Sequence, residues 1–417
     1  MMIYMKVNAD LHIHSKYSGG TSKNMSISAL SKEAKKKGVE LLGTGDCLHS
    51  KWMKEIHEME KIDEGTFELN GTKFVLNVEV EDNRRVHHLL FFPSISSAQD
   101  FRDKISSRSP NLDSDGRPNL ALGGEEIAQL AKDVDALIGP CHAFTPWTAL
   151  YAYYDSLSSC YGDLESYVSF VELGLSADTN YADRIAELER LTFLTNSDAH
   201  SPYPIRLARE FNRFEMNDII YNELKKALLR SGRRRPVLNV GLPPSEGKYN
   251  ESACIKCYTH YTLREAVMHK WKCTKCGKRV KKGVKDRINE LATYDSPKHP
   301  SHRPEYLYLI PLAEIITKAV GQSSPHTKTV LTIWNELIKN FGDEVKVLVD
   351  SDIEDIAKVS EERVTKAILA FREGKVILHP GGGGQYGRVE LPEGDNNSAQ
   401  IEPKKKERVG QTSLFEF

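Results

Sequence analysis

Six short segments of this chain carry side chains that bind transition metals, and nearly every one lies at the edge of an apolar run. The first is Asp10-Leu-His12-Ile-His14. In an extended backbone, residues two apart point the same way, so His12 and His14 can reach one ion together, with Asp10 alongside. The others are Thr44-Gly-Asp46-Cys-Leu-His49, Glu79 closing Phe-Val-Leu-Asn-Val-Glu, His87-His88 before Leu-Leu-Phe-Phe, Gly139-Pro-Cys-His142, and Asn196-Ser-Asp198-Ala-His200. A lone buried histidine is more often structural than a ligand, but six segments supplying ligands at strand ends argue for a metal centre. Of the His87-His88 pair, His88 is favoured because it directly abuts the apolar strand. Imidazole and carboxylate together suit Zn, Mn or Fe rather than Ca or Mg alone. Two such cations polarise a phosphate ester, lower the pKa of bound water to about 7 and neutralise the leaving oxygen. That chemistry needs no side-chain nucleophile. Arg84, Arg85 and Arg206 could hold phosphate, and a solvated surface charge is an equally good account of each.

A second set is Cys254-x2-Cys257-x15-Cys273-x2-Cys276, followed by Gly277. Paired cysteines at this spacing describe a closed tetrahedral zinc site without an open position, hence a structural one. The segment has few apolar residues and is expected to need its ion to fold. Between Cys254 and Arg287 it carries eleven Lys or Arg against two acids, while the whole chain has a net charge of −1. Such a concentrated basic patch is the footprint of a nucleic-acid contact. Lys272, Lys275, Lys278 and Arg279 are the candidate DNA-binding residues, and Tyr258, Tyr261 and Trp271 could stack on bases. The competing reading is a solubilising face around a small zinc core.

The elements that must position these groups are visible as patterning. Seven buried strands are predicted near residues 7–9, 39–42, 74–79, 89–92, 136–139, 168–173 and 191–195, with helices over 28–37, 125–132 and 181–190 between them. This alternation predicts an α/β fold with a mainly parallel sheet, closed into a barrel. Active groups collect at the C-terminal ends of strands in such barrels. Residues 236–253, rich in Pro and Gly, read as a linker. Helices are expected over 305–320, 327–340 and 361–373, and the Gly-, Pro- and charge-rich residues 381–410 as a mobile stretch. The Gly381 to Gly384 run could form a backbone nest for phosphate or serve as a linker. The division expected is 1–235 for the metal-dependent domain, 236–287 for linker and zinc module, 288–390 for a helical DNA-binding domain, and 391–417 for a flexible tail.

The order and spacing of Asp10-Leu-His12-Ile-His14-Ser, Glu79, His88, His142 and Asp198-Ala-His200 resemble the PHP (polymerase and histidinol phosphatase) family over residues 1 to about 230. That resemblance implies a distorted seven-stranded β/α barrel with two or three metal ions (Zn, Mg or Mn) hydrolysing phosphate esters. It implies metal ligation by His12, His14, Asp46, Glu79, His88, His142, Asp198 and His200, with His12, Asp46 and Asp198 central to catalysis. The sequence departs from the family at Gly45-Asp46-Cys47, where a Thr-Asp-His is usual; this leaves His49 as a possible substitute. Taken with one structural zinc and the helical region, the module order resembles the endonuclease Q family of archaeal DNA repair enzymes. That implies cleavage of DNA 5′ of deaminated bases (uracil, hypoxanthine, xanthine) or abasic sites, with the altered base flipped into a pocket between domains.

The C-terminal Gln411-Thr-Ser-Leu414-Phe415-Glu-Phe417 resembles peptides that bind a PCNA-type sliding clamp. A tail docked on its own domain is the competing account. Composition, 40% hydrophobic and 28% charged, reads as a soluble globular chain, and no apolar run reaches the roughly 20 residues of a membrane helix. With no secretion signal, a cytoplasmic, nucleoid-associated monomer is expected. Two rival functions are a PHP-type phosphatase for a small phosphomonoester and a non-catalytic DNA-binding scaffold on a decayed PHP domain.

Overall fold

The computed structural model describes residues 4–392. The expected clamp peptide, Gln411, Leu414, Phe415 and Phe417, lies outside the described residues. The strands are β1 (Met5–Asp10), β2 (Leu41–Gly43), β3 (Glu60–Lys61), β4 (Thr66–Leu69), β5 (Thr72–Val75), β6 (Asn77–Glu81), β7 (His87–Phe91) and β8 (Leu137–Pro140). They continue with β9 (Phe170–Glu172), β10 (Thr192–Leu194), β11 (Phe211–Met216), β12 (Arg235–Gly241), β13 (Ala253–Cys254), β14 (Val280–Lys281), β15 (Glu305–Tyr308), β16 (Ile377–His379) and β17 (Arg388–Glu390).

Seven of them follow one another around a ring. β1 pairs with β2 in parallel, and Cys47 N, just past β2, donates to Asn77 O at the start of β6 at 3.2 Å. β7 runs antiparallel to both β6 and β8. Ser169 N, before β9, donates to Ile138 O of β8 at 3.1 Å, and β9 pairs in parallel with β10. A parallel bridge between Ile13 and Ala199 returns to the end of β1. The ring is therefore less parallel than the patterning suggests. Residues 82–86 join β6 to β7 in a turn too short for a crossover helix, so the two strands can only be antiparallel.

Inside the ring lie Val7, Ala9, Leu11, Leu41, Val75, Leu89, Phe91, Phe170 and Leu194. A larger core fills the space between the ring and its helices, including Ile27–Lys37 and Gly124–Asp133. The helix expected over 181–190 is instead the short turns Thr179–Ala182 and Ala186–Leu188. Asp183 between them holds Arg303 at 2.7 Å, a long-range contact that competes with continued helix.

Three further expectations are corrected. The proposed linker begins as strand β12, which pairs antiparallel with β11 and carries a register shift opposite Pro236. Proline is tolerated near a strand start where the ladder is interrupted. The helix expected over 305–320 is divided: residues 305–308 form β15, parallel to β12, and only Leu312–Ala319 is helical. Pro311 caps that helix and lacks the N–H an earlier start would use. Residues 377–390 fold back as the β16–β17 hairpin. Gly381, Gly382 and Gly383 pack where a Cβ would meet the backbone of Gly247, Glu251 and Cys254.

The helices Leu312–Ala319, Lys328–Phe341, Ile353–Val359 and Glu362–Arg372 enclose Trp334 and share one core with Phe211, Leu238 and Val240 of the sheet. Lys37, 2% exposed, donates to Glu344 at 2.5 Å and to Pro204 O at 2.7 Å, pinning this helical region to the barrel. Among the described residues no helix is long and apolar enough to cross a membrane.

Candidate metal centre

One end of the ring gathers the functional side chains. His12 and His14 follow β1, Glu79 lies in β6, His87 opens β7, and His142, Glu172 and Asp198 sit at the ends of β8, β9 and just past β10. His14 Nε2 is 3.2 Å from Asp198 Oδ1 and 3.4 Å from Glu79 Oε2. His12 Nε2 is 3.7 Å from Glu79 Oε1 and 3.8 Å from Asp198 Oδ1. On its other side, Glu79 Oε1 is 2.7 Å from His87 Nδ1 and 3.0 Å from His142 Nε2. Two ligand sets that share no residue result, His12–His14–Asp198 and Glu79–His87–His142, and Cys141 forms a further group with His12 and Glu79; donor atoms in each lie within 4.8 Å of one another.

These residues fit bound cations. His12 Nε2, His14 Nε2 and Asp198 Oδ1 are buried and make no hydrogen bond among the described residues, yet they face one point. Buried polar atoms are rarely left so unless they serve another partner. Burial alone would lower the His12 pKa, but the charges of Glu172, Glu79 and Asp198 hold it up at about 9. His14 is also held well above its ordinary value against burial, by Asp198, Asp46 and Glu79. Burial would raise Glu79, but His87 and Arg117, with the His14 and His142 rings beside it, keep it well below the usual range. So much negative charge in a dry site calls for cations, and protons are the weaker occupants.

The backbone is bent to aim these groups. Asp46, His142 and Asp198 adopt φ of 48°, 28° and 46°, a left-handed region that costs a non-glycine residue on the order of 1–3 kcal/mol. Gly174, with φ of 71°, lies so close to His142 that a Cβ would sit 2.6 Å from the His142 Cβ.

The structure places the sequence candidates unevenly. His12, His14, Glu79, His142 and Asp198 converge. His88 does not: it is buried outside the ring, with Nδ1 2.7 Å from Tyr161 Oη and Nε2 3.4 Å from Asp82 Oδ2. Adjacent strand residues face opposite ways, and pairing of Glu81 with His87 turns His87, not His88, inward. Asp46 stands behind His14, 3.2 Å from its Nδ1, and accepts from Ser15 N at 2.6 Å and Ser18 Oγ at 2.9 Å, so it orients that ring rather than joining either set. His200 is at the rim, its ring 4.5 Å from that of His14. His49 stacks on Tyr17 at 4.5 Å and joins neither set. Asp10 accepts from Ser197 N and Ala208 N, fixing the Asp198 loop from behind.

Two members were missed. Glu172 Oε2 lies 2.8 Å from His12 Nδ1 and accepts from Asn196 Nδ2 at 3.1 Å. Arg117 donates to Glu79 Oε2 at 3.1 Å. The one signal for Glu172 was its position closing an apolar strand; Arg117 sits in a polar loop and gives none. Of the arginines considered for phosphate, Arg84 lies over the Tyr154 ring at 5.1 Å, Arg85 is 3.9 Å from Glu81, and Arg206 lines a cleft. That cleft, of about 440 Å3, lies between the barrel, the helical region and the β16–β17 hairpin, with Arg209, Glu246, Glu314, Lys318 and Tyr386 on its walls.

In the cysteine module, Sγ separations are 3.5 Å for Cys254–Cys276, 3.5 Å for Cys257–Cys273 and 3.6 Å for Cys257–Cys276. A zinc tetrahedron with Zn–S bonds of about 2.3 Å has edges of about 3.8 Å, so the four thiols are already near that arrangement. Beyond the cysteines, the module's core holds only Tyr261, Ala266 and Val280. Lys272, Lys275, Lys278 and Arg279 are all exposed on its surface.

A family model described as the MJ0043 C-terminal domain matches residues 311–375. The chain is 45% identical over 255 residues to the uncharacterized protein MJ0043 of Methanocaldococcus jannaschii, covering 60% of this chain but only 31% of that protein's length. It is 32% identical over 407 residues to the uncharacterized protein YqxK of Bacillus subtilis strain 168, covering 92% of this chain and 99% of YqxK. The crystal structure of the lesion-specific endonuclease PfuEndoQ from Pyrococcus furiosus superposes with a TM-score of 0.90 at 52% identity, covering 93% of this chain and 96% of that one. An endonuclease Q complex with a 27-mer duplex, an abasic lesion at its active site, superposes with a TM-score of 0.88 at 52% identity, covering 93% and 97%.

Proposed function

The chain belongs to the endonuclease Q family, and from that premise we propose that it is a lesion-specific, metal-dependent DNA endonuclease. The carrying observation is the pair of ligand sets bridged by Glu79 at the ring's open end, in a fold that matches a lesion-bound endonuclease over nearly its whole length. His12, His14 and Asp198 would hold one cation and Glu79, His87 and His142 another, with His200 at the rim. Bound there, the cations supply Lewis acidity, an activated water and charge neutralisation at the leaving oxygen. Glu172 and Asp46 fix the rings of His12 and His14 so that each Nε2 faces the cluster. Arg117 balances Glu79 and would offer a fixed positive charge to a phosphate oxygen.

The finer reading includes cleavage 5′ of uracil, hypoxanthine or xanthine as well as abasic sites. The cleft beside Arg206 and Arg209 falls in the size range of small-molecule pockets and suits a flipped nucleoside. The four-cysteine module would hold one structural zinc and present Lys272, Lys275, Lys278 and Arg279 to the DNA backbone. The peptide ending in Leu414, Phe415 and Phe417 would recruit a sliding clamp. The test is a panel of duplexes, each with one altered base, run beside a small phosphomonoester. Nicking confined to altered duplexes is expected; phosphate release from the small ester without nicking would establish the phosphatase instead.

A further inference from the structure

Trp147 lies on the loop that leaves the metal cluster at His142, and 37% of it is exposed. The loop is tied to the cluster at both ends of its turn. Thr145 N donates to His142 O at 3.0 Å, Thr145 Oγ1 donates to Trp147 O at 2.9 Å, and His87 N donates to Thr148 O at 3.0 Å. Thr148 has a φ of 58°, costly for a β-branched residue, so the turn is held in place rather than relaxed.

On its other side the indole meets the zinc module. Lys281 Nζ, in β14, stands 4.1 Å over the ring and donates to Pro146 O at 3.4 Å. Tyr249 packs edge-on at 4.7 Å, and its carbonyl accepts from Val284 N at 2.8 Å. Arg287 reaches back to Tyr151 O at 2.8 Å and Tyr154 O at 3.0 Å, closing the joint. The pairing of lysine with a partly exposed aromatic ring recurs nearby. Lys282 lies 5.3 Å from the Trp271 ring, and Lys248 lies 4.6 Å from that of Tyr386, itself 57% exposed. Open π faces for bases, interleaved with cations for phosphates, are how proteins grip unpaired nucleic acid.

We propose that Trp147 stacks on a nucleobase next to the phosphate held at the metal cluster, clamping the strand between the His142 loop and the zinc module. The identity of the ligand as lesion DNA rests on the proposed function. The stacking itself rests on the placement of the partly exposed Trp147 between the His142 loop and the zinc module. A base turned out of the duplex leaves its neighbour without a stacking partner, and an indole beside the cleaved phosphate can replace it.

The test compares Trp147→Leu, which keeps apolar bulk but loses the π face, with Trp147→Phe, which keeps a ring. Binding is read with 2-aminopurine beside an abasic site, with Ca2+ in place of the activating metal, and nicking under single turnover. W147L is expected to lose about tenfold in both, and W147F to stay within about threefold, with zinc content and melting temperature unchanged in both. W147L binding and nicking like the wild type would overturn the proposal while leaving the endonuclease intact. So would equal losses in W147L and W147F, which would mark a packing role at the joint. A wild type that nicks no lesion duplex, yet shows DNA quenching of tryptophan fluorescence that W147F lacks, would remove the proposed function and keep the stacking.

Discussion

Glu172→Gln isolates what the carboxylate behind His12 contributes. Glu172 is fully buried, with Oε2 2.8 Å from His12 Nδ1, and its oxygens also accept from Asn196 Nδ2 at 3.1 Å and His142 N at 3.4 Å. Glutamine keeps the size and one acceptor oxygen, which can still serve His12 and Asn196 at the Oε2 position. Only the long 3.4 Å contact from His142 N is given up, so the fold should survive. It loses the charge that favours the proton on Nδ1 and leaves the Nε2 lone pair for a metal. A hydrogen bond to a charged group is worth about 1.5–3 kcal/mol against about 0.5–1.5 kcal/mol for a neutral one. The difference, about 1–2 kcal/mol, corresponds to about 5- to 30-fold in metal affinity, overlapping the lower part of the range of about 10- to 100-fold typical of groups that orient metal ligands. The assay titrates Mn2+ against single-turnover nicking of an abasic-site duplex. The half-saturating Mn2+ should rise about tenfold, with the rate recovered at excess metal. A titration identical to the wild type would refute the reasoning. So would a rate that excess metal cannot restore at an unchanged half-saturating concentration.

His87→Ala should reduce nicking at least about a hundredfold while the protein stays folded. His88→Gln should retain nicking at moderate temperature but melt lower, because it disturbs the buried Tyr161 and Asp82 contacts; the two variants are compared by nicking and thermal melts. Cys273→Ser should release zinc, measured by metal analysis, and weaken duplex binding more than it slows cleavage of bound DNA. Glu210 is pushed up to about 8 by burial, with the Leu242 amide and Arg209 opposing. A carboxyl raised in the folded state gives stability that is full below its unfolded value near 4.5 and is lost as pH rises through about 8. Glu210→Gln should therefore melt close to wild type at pH 5 and above it at pH 9, with the wild type losing up to about 1.4 kcal/mol per pH unit between.

The sequence reveals a residue's phase along a strand more readily than its neighbours in space. His12 and His14 are legible because an i, i+2 pair at a strand end can face one ion. The choice between His87 and His88 depends on the register of β7 against β6, which an apolar run beside both histidines does not encode. Glu172 and Arg117 acquire their roles from strands and loops far away in sequence. The apparent linker at 236–253 shows the same limit: its prolines and glycines match loop chemistry, yet β11 supplies a partner and a register shift that accommodates Pro236. Residues 305–308 pattern as helix but find an open edge at β12. The cysteine spacing, by contrast, is a local geometric requirement, and the four thiols converge as it demands.

The most direct measurement places one abasic site at a defined position in an end-labelled duplex and follows strand cleavage with and without Mn2+. The account predicts a single metal-dependent cut immediately 5′ of the lesion, absent from the undamaged duplex and from Asp198→Ala, which still binds the DNA. Cleavage of undamaged duplex at the same rate, or cleavage by Asp198→Ala at the wild-type rate, would contradict it.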